Sequence, residues 1–126
     1  MLHGIIRSTV YVRVNRDRFD VRHVESGRES TYHSDKPFTT LRLLIGEFLV
    51  AESALRTAMK QVRYGAPYFA APTVIMHPLA MTEGGLSPIE HRVFMEVAHG
   101  AGAKRAIVWV GPELSDDQVR EKARAA

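Results

Sequence analysis

Apolar residues recur along this chain with two different periods, and the change of period divides it. Over residues 8–14 the alternation sets Val10, Val12 and Val14 on one side, the period of a half-buried strand. Asn15, Arg16, Asp17 and Arg18 form a polar turn, where Asn and Asp suit local hydrogen bonding. Phe19 and Val21 then share a face in a second run over residues 19–24. Ser26 and Gly27 turn the chain again, and residues 29–33 supply a third strand. Three strands joined by short turns predict an antiparallel meander.

After a loop containing Pro37 the period lengthens to that of a helix. Phe48, Ala51, Leu55, Ala58, Met59 and Val62 repeat at three and four, which predicts a helix over residues 47–63. Glu52 and Arg56 stand four apart in the favourable order on its wet side. Gly65, Pro67 and Pro72 break the pattern, and residues 73–77 form a short apolar run, read as a central buried strand that Pro78 ends. A loop over residues 79–86 contains Gly84 and Gly85. Ser87, Pro88 and Glu90 then start a helix with a serine cap, a proline in the first turn and a glutamate closing a capping box. Its buried stripe is Ile89, Val93, Phe94, Val97, Ala98 and Ala101, and Gly100 and Gly102 end it. Residues 105–110 read as another buried strand. Ser115 and Gln118 form a second capping box, opening a final helix through Val119 and Ala123 with acids early and bases late. The expected fold is α/β, in the order βββαβαβα, with one mixed five-stranded sheet whose two later strands run parallel to the first. Residues 1–126 form a single domain without internal repeats.

Two segments carry a likeness to a known family. Residues 44–62 form an amphipathic helix whose wording resembles one helix of the bacterial actin MreB family. Glu90, His91 and Arg92, followed by Gly100, Ala101, Gly102 and Ala103, are similar to the MreB helix that leads into the next core strand. The similarity spans residues 38–112, and the meander matches in layout. The resemblance implies an actin-like, ribonuclease-H-like half equivalent to the first subdomain of MreB. In that family the first hairpin carries an aspartate-leucine-glycine-threonine loop that holds the ATP phosphates and the metal. The turn over residues 15–19 has neither the glycine nor the threonine, so no nucleotide cofactor and no metal are expected, and Arg16 and Arg18 read as solvated turn residues. Glu90 falls on the glutamate that helps position the attacking water in the family. It is the one candidate catalytic residue, and its structural role as the capping partner of Ser87 competes with that reading.

Composition narrows the functional classes. The chain has 126 residues, 45% hydrophobic and 25% charged, the balance of a soluble globular protein. With no cysteine it has no disulfide, thiol nucleophile or cysteine zinc site, which fits a cytoplasmic protein. No apolar run approaches the roughly 20 residues of a transmembrane helix. Leu2, Ile5 and Ile6 read as a lead-in to the first strand, since three apolar residues beside Gly4 bury too little for a membrane anchor. The net charge is +3, but between Arg7 and Lys36 seven basic and five acidic residues alternate as on a solvated sheet face. No nucleic-acid-binding motif accompanies them, so no nucleic-acid partner is expected. His91 and His99 lie too far apart along their helix to share a metal. His77 ends a buried strand at a carboxyl edge, where α/β proteins place sites, and is weighed as a general base against a satisfied core histidine. Ser87 has no evident base, and Gly84 and Gly85 lack the Lys-Ser/Thr ending of a phosphate loop.

These features lead to the expectation of a non-catalytic protein-interaction domain. By the resemblance its partner would be MreB or another component of cell shape or division. Its expected interface lies in the 79–86 loop, at Leu79, Met81 and Leu86. The alternative is a ribonuclease-H-like phosphotransferase or nuclease, for which Asp17, Asp20, Glu83 and Glu90 are the nearby acids, or a nucleotide-binding half-site completed by homodimerisation.

Overall fold

The computed structural model describes residues 7–63 and 71–126. Leu2, Ile5 and Ile6, and the break at Gly65 and Pro67, lie outside the described residues. The chain forms β1 (Thr9–Asn15), β2 (Arg18–His23), β3 (Arg28–His33), α1 (Phe48–Val62), β4 (Thr73–Pro78), α2 (Pro88–Gly100), β5 (Arg105–Val108) and α3 (Asp116–Ala125). One five-stranded sheet runs in the order β3-β2-β1-β4-β5. β1 pairs antiparallel with β2, and β2 with β3, while β1–β4 and β4–β5 are parallel. The α/β class, the element order and the mixed sheet are those expected from the alternation of periods.

The helices divide between the two faces of the sheet. α1 packs on β2 and β3, α2 on β4 and β5, and the two helices touch each other, while α3 lies across β1 and β4. Under α1 and α2 the core is Val10, Val12, Val14, Phe19, Val21, Val74 and Met76 from the strands, against Leu55, Met59, Phe94 and Val97. Under α3 a smaller cluster joins Tyr11, Ile75 and Val119, with Ile107, Trp109 and Leu114 beside it.

This division corrects three expectations. β1 is buried on both faces, because it is the middle strand, and Tyr11 lies in the second core. β5 ends at Val108 and is a partly exposed edge strand, since Gly111 (φ 154°) bends the chain back against the Trp109 ring. Phe48 and Ile89 were placed in buried stripes but are exposed. Each sits in the first turn of its helix, beyond the sheet that its later turns cover.

The capping signals act as the sequence implies. Ser87 and Glu90 form a reciprocal capping box, as do Ser115 and Gln118. α2 ends in a Schellman arrangement: Ala103 N–H donates to Ala98 O and Gly102 N–H to His99 O, with Gly102 at φ 113°.

The β1–β2 hairpin does more than turn. Asn15 pairs with Arg18, so Arg16 and Asp17 make the turn, and Asp17 takes a left-handed conformation (φ 54°) that Asp tolerates better than most residues. Its Oδ1 accepts the backbone N–H groups of Phe38 and Thr39, both at 2.8 Å, and its own N–H donates to Thr39 Oγ1. Phe38 is fully buried and stacked on Phe19, with ring centroids 4.8 Å apart. Phe38 O in turn accepts N–H bonds from Gly46 and Glu47, which closes residues 38–47 into a compact loop and delivers the chain to α1. Thr39 Oγ1 also donates to Leu44 O inside the loop. Asp17→Ala strands two partly buried donors and is expected to cost about 1–3 kcal/mol in urea unfolding. Asp17→Asn keeps an acceptor and a left-handed turn and should cost clearly less. Equal losses in the two variants would contradict the assignment.

Candidate functional site

The loop that Asp17 anchors forms one wall of an apolar groove at the carboxyl ends of β1 and β4. Leu43, Leu44 and Ile45 supply that wall, Ala80, Met81 and Leu86 the second, and Ile89, Glu90, Val93 and Phe94 of α2 the third. The 79–86 segment holds its shape through three left-handed residues, Met81 (φ 56°), Gly84 and Gly85, and through a turn in which Gly85 N–H donates to Thr82 O. The two glycines thus serve a defined turn.

The expected interface residues separate. Met81 and Leu86 are half-buried, pack on the main core and line the groove together. Leu79 is 42% exposed and is not part of the lining. Leu43 and Ile45 belong to the site although neither was expected there: Ile45 was read into the 44–62 helix, but α1 starts only at Phe48, because Gly46 and Glu47 N–H are spent on Phe38 O. Their loop has no periodicity, and the one signal that leads there is the chain of bonds from Asp17. Around the groove Ile89 is 77% exposed, and Leu41, in the anchored loop, is 94% exposed.

Glu90 is the single charged residue of the lining. Its Oε1 accepts Ser87 N–H at 2.9 Å while its own N–H donates to Ser87 Oγ at 3.1 Å. Among the described residues no cation lines the groove, so none there offsets the charge of a polyphosphate. The other acids weighed for catalysis do not converge on it. Asp17 is committed to the 38–47 loop, Asp20 accepts from Thr31 at 2.8 Å and pairs with Arg18 at 3.2 Å, and Glu83 is an exposed loop residue. Among the described residues, no three His, Asp or Glu side chains are grouped so as to hold a metal ion. His99 Nδ1 lies 3.2 Å from Ala103 O at the end of α2, and His91 is exposed in the first half of that helix.

His77 resolves into a buried polar relay on the opposite face of the sheet. It is fully buried, with Nε2 2.8 Å from Gly111 O and Nδ1 2.6 Å from Tyr11 Oη. A carbonyl can only accept, so Nε2 carries the proton and Nδ1 accepts from the tyrosine hydroxyl. Tyr11 Oη accepts in turn from Leu114 N–H at 3.1 Å. Every polar atom in the series is satisfied, and both His77 ring nitrogens are occupied. Burial pushes the His77 pKa down and that of Tyr11 up, so both stay neutral near pH 7. The relay ties β1, β4 and the chain leading to α3 together. Tyr11 escaped the sequence reading because the valines around it marked only one face of β1. A second buried histidine, His23, lies between Ser8 Oγ (3.1 Å) and Ser26 Oγ (2.7 Å), and burial lowers its pKa as well.

The two histidines make stability depend on pH with a definite sign. In the unfolded chain each takes up a proton near the ordinary value of about 6.5, whereas the folded protein resists it. Stability is therefore full above about pH 6.5 and falls as the pH drops toward the lower folded values, by up to about 1.4 kcal/mol per pH unit for each group. Asp116 acts at lower pH. Its hydrogen bonds to Arg22 hold its carboxyl below the usual range, and that contribution fades only as the acid range is entered. The urea midpoint should fall between about pH 7 and pH 5, and His77→Gln should make the fall shallower. An unchanged slope in that variant would contradict the buried neutral imidazole.

Among the described residues no helix is long and apolar enough to cross a membrane. No family model matches the chain. It is 34% identical over 99 residues to the uncharacterized protein YjaA of Escherichia coli (strain K12), a match that covers 75% of this chain and 76% of that protein. The chain belongs to the same family as YjaA.

Proposed function

We propose that this member of the YjaA family is a non-catalytic protein-interaction domain of the cytoplasm, which meets a protein partner over the shallow apolar groove, about 30 Å³ in volume, at the carboxyl ends of β1 and β4. The observation that carries this reading is the lining itself: nine of its ten residues are apolar, and the tenth, Glu90, is engaged as a helix cap. A groove of that composition favours an amphipathic segment, whose apolar side chains leave water there and whose polar side faces solvent. Exposed Ile89 and Leu43 extend the contact at its margin. The likeness of residues 44–62 and 90–104 to MreB gives the first partner to try, an MreB-type actin or another component of cell shape or division.

The rival reading is a ribonuclease-H-like phosphotransferase or nuclease, or a nucleotide half-site. It needs several free carboxylates beside the phosphate it acts on. Arg7, Lys104, Arg105 and Arg124 do line one polar cavity of about 490 Å³, but among the described residues no carboxylate lines it with them. The engagement of Asp17, Asp20 and Glu90 in structural bonds weighs against it.

Titration of the labelled chain with purified MreB, and separately with ATP and magnesium, tests both readings. Saturable binding to the protein, weakened about tenfold or more by Ile89→Lys at an unchanged unfolding midpoint, is the expected result. Binding that Ile89→Lys and Leu43→Lys leave intact would remove the groove from the interaction. Micromolar ATP binding with turnover lost in Glu90→Gln would overturn the non-catalytic reading.

A further inference from the structure

The two edges of the sheet are built differently. β3 carries Arg28, Glu29 and His33, and its Ser30 hydroxyl is hydrogen-bonded to Gln61 of α1. Charges of this kind discourage another strand from adding there. On the β5 edge charge is confined to the amino end, at Lys104 and Arg105. From Ala106 to Gly111 the residues are Ala, Ile, Val, Trp, Val and Gly, without a charge or a proline. Ile107, Val108 and Trp109 are only half-buried, and Val110 is 42% exposed.

The backbone of this edge is also open among the described residues. β5 is the last strand of the sheet, in parallel register with β4, with Met76 opposite Val108 and Val74 opposite Ala106. Trp109 N–H donates to Met76 O at 2.9 Å. In a parallel ladder the residue opposite the acceptor turns its own N–H and C=O away, so Ala106 and Val108 present theirs outward. Although β5 is short, its edge is apolar, β-prone and unpaired, the properties that recruit another strand.

We propose that the β5 edge is a homodimer interface, in which two copies pair β5 antiparallel about a two-fold axis at Val108. In this register Val108 bonds its symmetry mate reciprocally and Ala106 lies opposite Val110 of the second copy. Ile107 lies opposite the second Trp109 on the α3 side, so the half-exposed apolar groups cover one another. Charge selects this arrangement. Antiparallel pairing carries Lys104 and Arg105 past the bend at Gly111 of the second copy, where they meet no like charge, whereas a parallel pairing would set Arg105 against Arg105. The two five-stranded sheets become one continuous sheet. This inference stands apart from the groove, which is lined by other residues.

Light scattering during size-exclusion chromatography tests it, together with amide hydrogen exchange. The wild-type chain should run as a concentration-dependent dimer of twice 14.1 kDa, with slow exchange at Ala106 and Val108 despite their outward direction. Val108→Pro removes an outward N–H that β4 does not use, and should weaken dimerisation about tenfold or more. Val110→Lys, at a more exposed position, should weaken it with the unfolding midpoint of the monomer unchanged. If Val108→Pro does not fold, Val110→Lys decides. A wild-type monomer at millimolar concentration, or a dimer that the folded variants leave intact, would overturn the proposal.

Discussion

The carboxylate of Asp17 holds the carboxyl edge of this domain in its shape. Two backbone donors, on Phe38 and Thr39, end on one oxygen, and the same turn gives its N–H to Thr39 Oγ1. A ten-residue loop without regular structure would otherwise carry a large conformational entropy. Here it is fixed at its base by the aspartate, and its first residue is held by burial of Phe38 against Phe19. Two consequences follow from one anchor. The chain enters α1 at a set angle through the bonds from Gly46 and Glu47 to Phe38 O, and Leu43, Leu44 and Ile45 become a wall of the groove.

The second face of the sheet is held by polar contacts as much as by apolar ones. Its apolar cluster is small, and α3 buries only Val119 fully. Arg22 grips Asp116 through two hydrogen bonds, 2.9 Å and 2.8 Å, at the first turn of α3, and the Tyr11–His77 relay fixes the segment that leads there. The Lys122 ammonium lies 3.8 Å from the centre of the Trp109 ring. Forked Arg–carboxylate pairs and fully satisfied buried relays give direction that a small apolar patch lacks. This explains how a mostly polar helix of ten residues stays docked.

Much of the fold was legible because local signals agreed with tertiary need. The valines of β1, the stripe of α1 and the two capping boxes each marked an element that forms. Legibility failed where a residue's environment comes from a distant part of the chain. Tyr11 is buried by α3, more than a hundred positions away, and its alternation with valines could not reveal that. Phe48 and Ile89 fit their helical stripes by spacing, but a stripe does not say where the sheet beneath it ends. The site was less legible still. Met81 and Leu86 were identified as apolar residues in an unusual place, but their partners Leu43 and Ile45 lie in a loop with no period. Asp17 read as a turn residue, which it is, while its second role depends on Phe38 and Thr39 returning to it.

An arrangement in which one side chain organises the carboxyl edge of the sheet is best tested at the bonds themselves. Amide hydrogen exchange of Phe38, Thr39, Gly46 and Glu47 should be slow in the wild-type protein. In Asp17→Ala these amides should exchange quickly, while Val12, Val74 and Met76 in the sheet stay protected. That result would show the carboxyl edge to be a unit held from the hairpin turn. Equal protection of the loop amides in the two proteins would contradict the account, because the groove wall would then be held by something other than Asp17.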